Sequence, residues 1–233
     1  MARDAEPTRA ALVAAAERLF AANGIDRVSL REINRASGAR NTVALQYHFA
    51  DRDGIVRAVL RKHFPEVERL RHELLDAYEA RAASDLRELS EALVLPLAAQ
   101  LADSDGGPEY LQISAELINL PTRAEPEPEP PEGSSSSIYR WRALVEPYLE
   151  QDATRLHRRF TAIRFAAVEL GRRAESAPHR DDRLFVSQLV DLVVALLRAP
   201  VSPQTAKLAA DRDRHRANGI GGRAAGARAK ALR

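Results

Sequence analysis

A chain of 233 residues is long enough for one or two domains with a real hydrophobic core, which excludes a scaffold that depends on staples. The absence of cysteine removes disulfides, thiolate metal sites and cysteine nucleophiles together, and fits a reducing compartment. Hydrophobic residues are 45% and aromatics only 5%, so the core is aliphatic and alanine-rich, a composition that favours helices over sheets. No uncharged apolar run is long enough to span a bilayer, and Met1-Ala2-Arg3-Asp4 opens no apolar leader, so a cytoplasmic location without a membrane partner is expected. The net charge of +2 hides a strong asymmetry: residues 1–63 carry +4, residues 64–136 carry −11 and residues 137–233 carry +9. An acidic middle between basic ends implies one part that faces nucleic acid and another that avoids it.

Helical periodicity begins at once. Leu12, Val13, Ala16, Leu19 and Phe20 form an apolar stripe, with Arg9, Glu17 and Arg18 read as outside it, and Asn23-Gly24 ends the helix. Ser29-Leu30-Arg31-Glu32 is a capping box that starts a short second helix, and Ser37-Gly38 stops it after about two turns. A third short run spans Asn41 to His48. Asp51 can cap a long fourth helix with Ile55, Val56, Val59 and Leu60 on its buried face, and Pro65 predicts a kink or split before Val67, Leu70, Leu74 and Leu75. Amphipathic stretches follow at 84–103 and 108–120. Residues 121–137, a Pro-Glu-Ser run, can bury nothing and read as a disordered insertion of no assigned function.

Helices resume at 138–150, with a kink at Pro147, and at 152–173, where Leu156, Phe160, Ile163, Ala167 and Leu170 repeat at alternate spacings of four and three. The run from Asp181 to Arg198 is apolar around most of its circumference, more than one core can cover. The expected partner for the surplus is the same helix of a second copy. The predicted homodimer face is Leu156, Phe160 and Ile163 with Phe185, Leu189, Leu192, Val193 and Leu196. Residues 199–233 read as a flexible basic tail.

Enzymatic chemistry has no visible seat. The sequence contains no Gly-rich phosphate loop, nucleophile elbow, His-Glu-x-x-His pair or Cys/His cluster, and Asp103-Ser104-Asp105-Gly106 lacks the later ligands of a calcium loop and reads as a turn. No enzyme activity, cofactor or metal is expected. The positive signal lies in residues 8–60, where a capped short helix, a Gly turn and a second short helix meet the needs of a helix-turn-helix. The second helix presents Asn41, Thr42, Gln46, Tyr47 and His48, groups able to reach base edges or phosphates, while Val43, Leu45 and Phe49 can face inward.

The stretch Leu12–Gly24, then Val28-Ser29-Leu30-Arg31-Glu32-Ile33, Ala36-Ser37-Gly38 and finally Tyr47-His48-Phe49 with Asp51-Arg52-Asp53-Gly54-Ile55 resembles the amino-terminal domain of tetracycline-repressor-type (TetR) transcriptional regulators. Arg40-Asn41 stands where the commonest form has a small Ser-x-Gly entry, which leaves the base preference open. The resemblance implies an all-α fold: a three-helix DNA-binding domain at 1–50, joined to a larger ligand-binding and dimerisation domain at 51–198 that dimerises through its last two long helices. It also implies a homodimeric repressor, a palindromic double-stranded DNA operator and a small-molecule effector, for which no pocket residue can be named. In this reading Arg40 and Arg52 contact phosphates, Ser29 and Arg31 lie near the backbone, Asn41, Thr42 and Gln46 reach bases, and Tyr47 and His48 add hydrogen bonds, Tyr47 having packing as an alternative. A second function class, an all-α dimeric ligand-binding or protein-docking module without specific DNA recognition, stays open on spacing alone.

Overall fold

The computed structural model describes residues 5–38, 48–81, 85–120, 136–176 and 178–215. Ten helices are named here in chain order: α1 (Ala5–Asn23), α2 (Leu30–Ala36), α3 (Arg52–Glu79), α4 (Leu86–Ala98), α5 (Gly107–Asn119), α6 (Ser137–Val145), α7 (Gln151–Arg155), α8 (Arg158–Glu175), α9 (Arg183–Arg198) and α10 (Pro203–His215). No strand occurs among the described residues. The class is therefore all-α, as the aliphatic composition implies.

Two hydrophobic cores organise these helices. The first gathers Leu12, Val13, Ala16 and Phe20 of α1, Ile33 of α2, Phe49, and Ile55, Val56 and Val59 of α3. The second gathers Val67 and Leu75 of α3, Leu86, Leu89 and Leu93 of α4, Leu111 of α5, Trp141 of α6, and the inner faces of α8 and α9. Helix α3 serves both. Its start is fixed by Asp51, whose carboxylate accepts the Gly54 amide at 2.7 Å, and it runs on through Pro65 without the split that the sequence suggests. A β-carbon at Gly54 would lie 1.9 Å from the Phe49 carbonyl oxygen, so the reversal into α3 has room only for glycine.

The expected rod at 152–173 is interrupted. His157 takes a left-handed backbone conformation, with φ of 57°, which separates α7 from α8. The buried stripe of α8 is made of small residues, Ala162, Ala166, Ala167, Gly171 and Ala174 with Leu170, and it lies on α5 in the most extensive helix pair of the fold. A β-carbon at Gly171 would stand 2.4 Å from that of Ala115 and 3.0 Å from the Leu111 carbonyl oxygen, a measure of how closely the two helices approach. Residues 203–215, expected within a flexible tail, instead form α10, with Ala209 buried and Asp213 accepting a hydrogen bond from Arg155 Nε at 3.1 Å. The rest of the expected tail, 216–233, and residues 121–135 of the expected insertion lie outside the described residues.

Helix α6 is anchored by a buried ion pair. Arg71, 4% exposed, donates to the Ala92 carbonyl, to Ser137 Oγ at 3.0 Å and to Glu68 at 3.3 Å, while the Glu68 carboxylate accepts the Ser137 amide at 2.7 Å. A carboxylate thus meets the positive end of α6. Burial pushes the Arg71 guanidinium below its ordinary value, against the opposing pull of Glu68.

Gly54→Ala and Gly171→Ala are each expected to lower unfolding free energy by about 1–3 kcal/mol, because neither site has space for a methyl group. Urea denaturation against the parent chain measures both.

Candidate nucleic-acid interface

Helix α2 is built by its capping box. Ser29 Oγ accepts the Glu32 amide at 3.3 Å, and Glu32 Oε2 accepts both the Ser29 amide at 2.8 Å and the Ser29 hydroxyl at 2.7 Å. The hydrogen bonds from the Ser29 side chain and then its backbone hold the Glu32 carboxyl below the usual range. The inner face of α2 carries Ile33 into the first core, and Ser29, Arg31 and Arg35 lie exposed on the other side. Two of the predicted contact residues, Ser29 and Arg31, therefore sit at the outward start of this helix.

Arg40, Asn41, Thr42, Gln46 and Tyr47 lie outside the described residues. After them, Phe49 turns inward at 6% exposure, and His48 is half-buried with its ring centroid 6.0 Å from that of Phe49. The Arg9 guanidinium of α1 lies over the Phe49 ring, 5.5 Å from its centroid. Arg9 was not among the residues singled out by sequence, because its contact with Phe49 crosses 40 positions of chain and no local pattern reports it.

Arg52, expected at the phosphates, makes contacts within the chain. Its Nη2 donates to the Val28 carbonyl at 2.9 Å and its Nη1 lies 3.8 Å from Asp26. The guanidinium thereby brackets the turn before α2 against the start of α3. The cause is geometric: the reversal at Ala50, with φ of 60°, aims the first residue of α3 back at residues 26–28.

The sequence-predicted dimer residues divide by burial. Leu189 and Val193 are 2% and 0% exposed and belong to the chain's own second core, so they stand behind the face on which they were expected. Phe160 at 50% and Leu192 at 44% point outward, and Leu184, which the prediction omitted, is 82% exposed. Leu156, Ile163, Phe185 and Leu196 are half-buried. The Arg173 guanidinium covers the Phe185 ring, 5.0 Å from its centroid.

Among the described residues no group of His, Asp and Glu is arranged to hold a metal ion, and no single helix is long and apolar enough to cross a membrane. What the amino-terminal fifth of the chain presents is a capped brace helix, packed on α1 and followed by a Gly-terminated turn, and that is the frame of a helix-turn-helix DNA-binding protein. Residues 12–59 match the family model for bacterial regulatory proteins of the tetR family, so the chain carries a helix-turn-helix domain of the kind found in that family. Among the described residues, the buried members of the first core run from Leu12 to Val59 and include Ile113 of α5, with Leu60 and Leu117 packed against them. The search of curated proteins returned no match.

Arg52→Ala is expected to lower the melting temperature, since the Val28 carbonyl loses its donor, while leaving the salt dependence of DNA binding unchanged. A slope shallower by about one unit in a log–log plot of affinity against salt would restore Arg52 to the phosphate contacts.

Proposed function

We propose that the protein is a homodimeric repressor that binds a palindromic operator through paired helix-turn-helix domains and releases it when a small molecule occupies the helical domain. The observation that carries this reading is the tetR-family match over the first core, joined by one continuous helix, α3, to a second core with exposed apolar residues on its last long helices. Phe160, Leu184 and Leu192 give a second copy apolar surface to cover. Residues Ser29, Arg31, Arg40 and His48 serve the phosphate backbone, and Asn41, Thr42 and Gln46 read base edges, with Tyr47 beside them. Two reading helices dock together when their half-sites lie about 34–36 Å apart or at a whole multiple of the helical repeat.

An effector acts by preferring a conformation with a different spacing, and its leverage is its differential affinity for the two states. An open groove of about 690 Å³ between α4 and the start of α9, lined by Leu95, Ala98, Val186 and Val190 with Arg87, Glu91 and Arg183, is the place in the helical domain where we put the small molecule.

Enrichment from randomised double-stranded DNA is expected to give an inverted repeat, and the absence of any consensus would sink the reading. Gln46→Ala then alters preference among sequences, whereas Arg31→Ala weakens all of them alike and makes the salt slope shallower by about one unit. Leu192→Glu together with Phe160→Glu is expected to yield monomers in sedimentation velocity and to cut operator affinity by at least about tenfold, because one half-site alone supplies only part of the contacts.

A further inference from the structure

The two cores are joined by a polar knot in a place where apolar packing would be the simpler solution. Glu17 of α1 is 2% exposed, His63 of α3 is 3% exposed and Gln100, in the turn between α4 and α5, is 3% exposed. Glu17 Oε1 lies 3.0 Å from His63 Nε2, within hydrogen-bond distance. His63 Nδ1 lies 3.0 Å from the Gln100 side-chain oxygen and 3.5 Å from Asp103, and the Tyr110 ring of α5 stacks on the imidazole at 4.8 Å. The second Glu17 oxygen accepts from Lys62 Nζ at 2.9 Å, and the same ammonium donates to the backbone and side-chain oxygens of Asp105 at 2.6 and 2.9 Å. Partial burial works against the Lys62 charge, but the hydrogen bonds to Glu17 and Asp105 outweigh it and hold the ammonium above its ordinary value. The turn is pressed onto the carboxylate: a β-carbon at Gly106, where φ is +90°, would stand 2.6 Å from Glu17 Oε2.

A second tie reaches α5 itself. The Glu116 carboxylate of α5 accepts the Ile25 amide, at 3.0 and 3.1 Å from its two oxygens, just past the end of α1. One tie would leave α1 free to pivot on α5. Two ties, at Glu17 and Ile25, fix the direction of α1, and α2 packs on α1 in the first core.

We propose that Glu17, Lys62 and His63 are positioning residues for operator recognition, which set the angle at which the DNA-binding domain leaves the helical domain and therefore the half-site spacing that the dimer accepts. This rests on the dimeric DNA-binding reading above. Successive base pairs rise only about 3.4 Å, so a small rotation at the knot is enough to shift the preferred spacer by a base-pair step. A carboxylate removed from water has no intermediate hydration to fall back on, so the knot is either closed or open, and the spacing is correspondingly discrete.

The test uses the full chain and the site selected by the parent protein from randomised DNA. Affinity is measured for that site and for versions with the spacer longer or shorter by one base pair, using the parent, Glu17→Gln, Lys62→Met and Lys62→Arg, each with a melting curve. The parent is expected to lose about tenfold or more on either spacer change, and Glu17→Gln and Lys62→Met to lose less than about threefold while keeping the half-site base preference. Lys62→Arg, which keeps the cation, restores the discrimination. Folded variants that keep the parent's spacer ratio overturn the positioning role alone. Loss of base preference in step with spacer preference also overturns it, because that is the mark of a damaged domain. A parent that shows no spacer dependence overturns the dimeric reading, and this proposal with it. Lys62 is a quarter exposed, so Lys62→Met keeps the test alive if Glu17→Gln does not fold.

Discussion

An ionised carboxylate shut away from water must be matched by donors or it costs several kcal/mol, and this constraint on Glu17 governs how the two halves of the chain meet. Its two oxygens are satisfied by Lys62 and His63, both on α3, and these in turn hold Asp105 and Gln100 in the turn that precedes α5. Three elements from both cores are therefore committed to one buried charge. Breaking a single partner of such a group is strongly destabilising, typically about 3–5 kcal/mol, whereas a well-packed apolar replacement is often neutral. What the knot adds over hydrophobic packing is direction, since hydrogen bonds fix an orientation that apolar contacts leave adjustable.

Helix α5 then acts as a shared wall. One side gives Ile113 and Glu116 to the DNA-binding domain, and the other gives Leu111 and Ala115 to α8, where Gly171 permits near contact of the two backbones. Small residues at this crossing leave little compressible side chain between the helices, so motion of α8 is passed to α5 with little loss. The link from α8 to α1 thus runs through rigid packing on one side and polar ties on the other.

Much of the architecture was legible in the sequence because it depends on local signals. The Ser29 capping box, the Asp51 cap and the apolar stripe of α1 all act within a few residues. Glu17 was misplaced by the same local logic: charged residues are expected outside the stripe, yet Val13, Ala16, Glu17 and Phe20 share one helical face, and that spacing was the available clue. The exposed side of α9 was blurred for a related reason. Leu189, Leu192, Val193 and Leu196 are alike in composition, and only the packing of α9 on α4 and α8 decides which of them turn inward. The intrachain contacts of Arg52 and Arg9 were not legible because their partners, Val28, Asp26 and Phe49, lie across a reversal or far along the chain.

Ile113, with Leu117 beside it, brings α5 into the first core from outside residues 12–59. A reader module cut at the family boundary would leave a void where this side chain sits and an unanswered amide at Ile25 where Glu116 belongs. Grafting this head onto another regulator's body would therefore succeed only if α5 travelled with it, and a recipient's own α5 would need an aliphatic side chain and a carboxylate three residues apart to receive the transplant.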